Sequence, residues 1–161
     1  MQKKSLHKVI IGRAELIHFV DFDMADVPTK IDTGAYRSAI HADNIKELPD
    51  GTLEFRVLGG HPVCGEIATT TKTGKYSKVW VANSFGQKEE RYAVELKIKL
   101  STKIVNANFT LADRSKKIYP ILVGRKLLNG RFIIDTSQTS VNRIELKKKY
   151  GIILPQDKEA L

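Results

Sequence analysis

The stretch TKIDTGAYRSAI, residues 29–40, decides how this chain is read. A strand-like approach ends at Asp32, Thr33 and Gly34, and the chain then turns back toward a second strand-like run. Asp and Gly are common turn residues, so the tripeptide alone specifies a turn. Whether Asp32 is also a chemical group depends on its surroundings.

Those surroundings are one domain's worth of sequence. A length of 161 residues supports one core and is too short for two ordinary domains. Hydrophobic content of 42% with 28% charged residues belongs to a folded chain, not a disordered one. The single cysteine, Cys64, excludes an internal disulfide and suits a reducing compartment. The opening MQKKSLHKVIIGRAEL lacks the apolar core of a signal peptide, and no run is long enough to span a bilayer. The expected setting is the cytoplasm, with no membrane partner.

The net charge of +9 attracts polyanions or solvates the surface. The cations are scattered through KTGKYSK, KIKLSTK, RSKK, GRK and KKK. No interleaved aromatic signature or zinc-finger spacing accompanies them, which makes nucleic acid an unlikely partner.

Short alternating or β-branched runs dominate the chain. Strands are expected in KVIIG, AELIHFVDF, TKID, TLEFRVLG, EIATTT, KVWVA, RYAVELKIKL and IVNANFTLA. Asp50-Gly51 marks one hairpin turn and NSFGQKEE, residues 83–90, the tip of another. A short helix is expected from RKLLNG, ending at Gly130, and a brief one in VNRIELKKKYG. The pattern predicts an all-β domain, a small closed barrel or sandwich, over residues 8–140. Residues 1–7 read as a basic tail and 141–161 as a peripheral one.

Downstream, YPILVGRKLLNGRFIIDTS, residues 119–137, carries an apolar strand into Gly124 and Arg125, then a short helix. With the Asp-Thr-Gly-Ala loop, and with a hairpin and long alternating strands between the two, this order resembles the retropepsin-like aspartic peptidases. The likeness sharpens with D-T-G-A-x-x-S-A-I-H-A, S-x-G, TLADR and LVGRKLL followed by FIID. These motifs look like a bacterial and archaeal branch whose members are often labelled ATP-dependent zinc proteases. Some members are linked to enzymes that add glutamates to a ribosomal protein.

The zinc and ATP in that label have no residues here to answer to. H-E-x-x-H is missing, and TKTGKYSK does not have phosphate-loop spacing. His61 and Cys64 in HPVC are two ligands at most, short of a closed zinc site. His41 reads as a structural histidine. No metal and no cofactor are expected.

The resemblance implies a fold, a closed barrel with one short helix after the Gly-Arg motif, and a chemistry. Amide hydrolysis by carboxylates needs one ionised and one protonated group on a single water. Two Asp held about 3 Å apart satisfy this, since both cannot ionise together, and the pair titrates as a unit. Asp135 follows Asp32 by 103 residues, but only 26 come after it and Ser137 stands where the motif has Gly. It reads as structural. The second carboxylate is then expected from another copy, in a two-fold homodimer.

Under the resemblance, Asp32, Thr33 and Gly34 are catalytic. Gly34 leaves room for backbone N–H groups beside the carboxylate, and the Thr33 hydroxyl braces the two loops across the axis. Ala35 carries no hydroxyl to lower the carboxylate pKa, so activity is expected nearer neutral pH than in pepsin-like enzymes. Gly124 and Arg125 are structural supports. Viral relatives have acidic residues where this chain has Tyr36 and Arg37, which leaves Arg125 in need of another partner. Ala35, Arg37, Arg91, Arg114 and the flap residues Phe85 and Gly86 are the substrate-binding candidates. The arginines either hold substrate carboxylates or brace the sheet or dimer. Trp80 is expected in the core or at the flap base.

The leading expectation is an aspartic peptidase of acidic peptides, with a glutamylated protein tail as one such substrate. The alternatives are an inactive dimeric binding module of the same fold and a basic nucleic-acid-binding β-barrel.

Overall fold

Strand periodicity translates directly into burial along the two longest hairpin strands. In β8 (Lys88–Leu100), Val94, Leu96, Ile98 and Leu100 are buried while Glu95, Lys97 and Lys99 face solvent. In β9 (Lys103–Ala112), Val105, Ala107, Phe109 and Leu111 point inward in the same rhythm. One face of a pleated strand is thereby committed to the core.

The computed structural model describes residues 7–83 and 85–152. The remaining strands are β1 (Val9–Ile11), β2 (Ala14–Phe19), β3 (Met24–Ile31), β4 (Ser38–Glu47), β5 (Leu53–Val57), β6 (Thr69–Thr73), β7 (Tyr76–Ala82), β10 (Ile121–Val123) and β11 (Phe132–Ile134). The helices are α1 (Arg125–Leu128) and α2 (Arg143–Tyr150). Six strands pair in the cyclic order β10-β3-β2-β8-β9-β4, and β4 returns to β10, so the sheet closes into a barrel. Ile17, Phe19, Ile40, Ile98, Leu100, Phe109 and Ile121 fill it, fully buried. Removing each such side chain from water stabilises the fold by about 2 kcal/mol before entropy is counted. β5 and β6 extend the sheet from β4, and β7 pairs with β8 as a projecting hairpin.

The fold expected from sequence, an all-β barrel with one short helix after the Gly-Arg motif, is the fold found. Asp50 makes the β4–β5 turn, its carboxylate accepting from the Thr52 N–H and hydroxyl at 3.0 and 2.7 Å.

Three local expectations change. The strand placed at EIATTT starts only at Thr69, because 61–67 runs as consecutive turns. Of the two places expected for Trp80, the core is excluded: it is 66% exposed on β7 of the β7–β8 hairpin, since that hairpin projects from the barrel. From residue 141, the stretch read as a peripheral tail buries Val141 and Leu146 in a second apolar cluster with Ala14 and Val63. It does so as α2, capped by Asn142, whose side chain accepts from the Ile144 and Glu145 N–H groups. Residues 1–6 and 153–161, the rest of the two proposed tails, lie outside the described residues. Among the described residues no helix is long and apolar enough to cross a membrane.

Candidate active site

The parallel pairing of β3 with β10 sets Ile31 opposite Val123, so the residues that follow each strand emerge side by side. Those residues are Asp32 and Gly124. The Asp32 N–H donates to the Val123 carbonyl at 2.9 Å. Beyond it the loop doubles back, with the Ala35 N–H on the Asp32 carbonyl at 3.2 Å and the Gly34 N–H on Asp32 Oδ1 at 2.9 Å. A Cβ at Gly34 would stand 3.2 Å from that same oxygen.

Gly124 is where the two motifs cross. A Cβ there would lie 2.5 Å from the Arg37 carbonyl oxygen and 2.8 Å from that of Tyr36, so only glycine lets the segments pass. The crossing is then stitched by the Arg125 N–H to the Ala35 carbonyl at 2.8 Å and the Lys126 N–H to the Tyr36 carbonyl at 3.0 Å. The buried Ser38 hydroxyl accepts from the Gly124 N–H at 3.0 Å. Arg125 finds its partner in the Thr33 carbonyl, 3.0 Å from Nη1, with its guanidinium 6.0 Å from the centre of the Tyr36 ring. Arg37 lies against the same ring at 5.9 Å.

Arg114 comes from the loop after β9. Its Nε donates to the Tyr119 carbonyl at 3.0 Å. Burial holds its pKa below the usual arginine value, the Arg91 charge adds to that, and the Asp32 carboxylate opposes it. Arg91, on β8, is ion-paired with Glu89. Phe85 and Gly86 sit in the β7–β8 turn, with the Phe85 side chain 88% exposed. Asn83 Oδ1 closes that turn by accepting from the Phe85 and Gln87 N–H groups at 3.0 and 2.9 Å. Asp32, Thr33, Gly34, Ala35, Arg37, Gly124 and Arg125 thus share one crossing, Arg114 feels the charges of both Arg91 and Asp32, and Phe85 and Gly86 stand out at the hairpin tip.

A cavity of about 430 Å³ abuts the loop through Lys30 and Ile31. Among the described residues six cations line it, Arg13, Lys30, Arg114, Lys116, Lys117 and Arg143, and no carboxylate does. Sequence reading named only Arg114 among them, because the others come from separate elements with no linear spacing to join them. On the other side, a hollow of about 540 Å³ is lined by Thr33, Tyr36, Arg125, Phe132 and Ile134. Beside it β1 and β11 pair in parallel, Ile10 opposite Ile133, and these two side chains are 58% and 51% exposed.

Asp135 accepts from the Ser137 N–H and hydroxyl and from Gln138, a local turn of its own. Cys64 is buried, which pushes its thiol up to about 11. His61 donates to two carbonyls through Nε2 and accepts the Val63 N–H at Nδ1, so both ring nitrogens are taken. Among the described residues no three of His, Cys, Asp and Glu converge as metal ligands.

A closed six-stranded barrel, with an Asp-Thr-Gly loop locked against a Gly-Arg strand end, defines a retropepsin-like protein. More particularly, the chain belongs to the RimB-like family, described as retropepsin-like aspartic endopeptidase RimB, whose model matches residues 10–145. Among solved structures it is similar to Lpg0085 of Legionella pneumophila, a protein of unknown function, with 27% identity and a TM-score of 0.66. That match covers 83% of this chain and 97% of the other. Among curated proteins it is similar to a probable alpha-L-glutamate ligase of Desulfotalea psychrophila, 28% identical over 82% of this chain. One of Shewanella halifaxensis is 25% identical over 91%. The chain spans only 29% and 33% of the length of those two relatives.

Proposed function

We propose that this protein is a cytoplasmic aspartic peptidase that hydrolyses acidic peptides as a homodimer, each copy contributing Asp32 to one dyad. The observation that carries the reading is a cavity beside the Asp32 loop, reached through Lys30 and Ile31, whose charged lining among the described residues is six cations and no carboxylate. A peptide carboxylate there meets guanidinium and ammonium groups without a competing acid.

In the proposed reaction, one Asp32 carboxylate takes a proton from the bound water as its oxygen bonds to the scissile carbonyl carbon. The protonated Asp32 of the other copy gives its proton to the carbonyl oxygen. Collapse of the tetrahedral centre breaks the C–N bond, and the leaving amine takes up a proton from the dyad. Thr33 braces the two loops across the axis, and Gly34 supplies an N–H to the carboxylate. Arg125 fixes the Thr33 carbonyl. The exposed Ile10–Ile133 pair and the neighbouring hollow suit a second copy, which would cover them and bring the Asp32 loops together. Substrate is covered by the β7–β8 hairpin, with Phe85 and Gly86 at its tip and Arg91 on its return strand.

The curated relatives are named as probable ligases for glutamate, an acidic residue, which supports a glutamate-rich tail as substrate. Their ligase activity is not carried over to a chain that matches a third of their length.

The test is cleavage of an oligo-glutamate peptide by the wild type and by Asp32→Asn at neutral pH, with the assembly state measured alongside. The wild type is expected to cleave as a dimer and the variant to bind without cleaving. Binding without cleavage by both would reduce the protein to a binding module; a strictly monomeric, active wild type would remove the shared dyad.

A further inference from the structure

The segment from Asp113 to Tyr119 delivers Arg114, Lys116 and Lys117 to the basic cavity. Its main chain is gripped by three side chains from three separate parts of the fold, none of which lines the cavity itself.

His41, buried on β4, has Nε2 2.7 Å from the Gly59 carbonyl and Nδ1 2.9 Å from the Arg114 N–H. A carbonyl on one side and an N–H on the other fix the neutral tautomer with its proton on Nε2. His61 is 1% exposed, and its Nε2 lies 2.9 Å from the Lys117 carbonyl and 3.1 Å from that of Arg114. Its Nδ1 accepts the Val63 N–H at 3.2 Å, which selects the same tautomer. Tyr150, on α2, donates to the Ser115 carbonyl at 2.7 Å. The rings form a chain, His41 to His61 at 5.3 Å and His61 to Tyr150 at 6.1 Å. The N–H and carbonyl of Arg114 and the carbonyls of Ser115 and Lys117 are therefore all fixed from outside the loop.

We infer that His41, His61 and Tyr150 are positioning residues: by fixing the main chain of the Asp113–Tyr119 loop, they set how tightly the basic cavity holds the carboxylates of an acidic peptide. This rests on the peptidase reading for the identity of the ligand. A loop free to shift would carry its three cations out of register with a bound carboxylate and forfeit paired hydrogen bonds that depend on fixed geometry.

The grip also depends on both imidazoles being neutral. A proton on His41 Nδ1 would meet the Arg114 N–H donor to donor, leaving the Asp113 carboxylate, 3.8 Å away, as its new partner. The titratable and charged groups around His41 are Asp43, Asp113, His61 and Arg114. Asp43 is already engaged by Arg56. His61 is faced by His41, Arg114, Tyr150 and the main chain of Lys117.

The deciding experiment measures oligo-glutamate binding by calorimetry at pH 7.5 in the uncleaving Asp32→Asn background. Tyr150→Phe, which removes one hydroxyl and keeps the ring, is expected to weaken binding about fivefold, the value of one hydrogen bond. It should also speed hydrogen exchange at the Arg114 and Ser115 amides. His61→Leu should weaken binding about tenfold or more, and His61→Gln, which keeps a donor, should recover part of that loss. With Asp32 restored, Tyr150→Phe should raise KM by the same factor and leave kcat unchanged. Unaltered affinity and exchange in Tyr150→Phe would overturn the inference, even if His61→Leu fails to fold. A parent that binds but never cleaves would end the peptidase reading while these affinities still decide the positioning one. A parent that binds no oligo-glutamate would remove both.

Discussion

The guanidinium of Arg125 donates to the main-chain carbonyl of Thr33 at 3.0 Å and lies over the ring of Tyr36. The resemblance puts an acidic partner for this arginine where the chain has Tyr36. A carbonyl and an aromatic face take its place, so the Asp-Thr-Gly loop is fixed without an acid at position 36. A planar fork can meet both partners together, and a point charge cannot. Arg125→Lys is therefore expected to lower kcat/KM roughly tenfold to a hundredfold by loosening the loop, while the thermal midpoint moves only a few degrees. Full peptidase activity in Arg125→Lys would show that the contact does not position Asp32.

The crossing beneath the loop should be far less tolerant. Gly124→Ala places a methyl 2.5 Å from a carbonyl oxygen with backbone on both sides. Nothing flexible can yield, so a loss of about 3 kcal/mol or more is expected. Ser38→Ala is the gentler probe. It leaves the buried Gly124 N–H without its acceptor, for about 1–3 kcal/mol. Urea midpoints for the two variants should keep that order; a Gly124→Ala protein as stable as the wild type would mean that the segments do not cross this closely.

What was legible in the sequence was what is local or periodic. The alternation in VELKIKL and ANFTLA fixed the faces of β8 and β9, and Asp50-Gly51 fixed a turn. The motif pair around Asp32 and Gly124 led to the barrel because parallel β3 and β10 bring their ends together. Contacts between distant segments were not legible. Arg13, Lys30 and Arg143 meet the Arg114 loop only in three dimensions, so a scattered charge became a cavity lining. Tyr36 was read as the absence of an acid, whereas its ring supports two arginines. The core alternative for Trp80 fails although a large aromatic in an alternating run normally points inward: on a hairpin that leaves the barrel, there is no interior to point to.

That exposure makes Trp80 a built-in reporter, since it is the chain's single tryptophan. It pairs with Glu90 across the hairpin that ends at Phe85. If the hairpin closes over substrate, Trp80 emission should shift to shorter wavelength, and acrylamide quenching should fall on adding oligo-glutamate to Asp32→Asn. Phe85→Ala, which removes the apolar tip, should weaken both responses. Quenching that is unchanged at saturating peptide would rule out closure of this hairpin.

Stability should respond to acid in two separate windows. Burial, reinforced by the nearby His41, holds the His61 pKa below its ordinary value of 6.5. The folded protein thus keeps this imidazole neutral while the unfolded chain takes up a proton near pH 6.5. The unfolded state binds more protons there, so stability is complete above about pH 6.5 and declines as pH falls toward the lowered folded value. Asp43, held down by the Arg56 hydrogen bond, and Asp113, held down by Ser115, act in a more acid range. Their contribution is present above the ordinary carboxylate pKa and is lost as pH falls through their depressed folded values. Urea midpoints between pH 8 and 5 should therefore slope downward in the wild type and flatten in His61→Gln, whose amide cannot take a proton, while both proteins lose stability together below about pH 4. Parallel slopes above pH 5 would show that His61 titrates alike in the folded and unfolded chain, and its neutral grip on the Arg114 loop would then have no energetic basis.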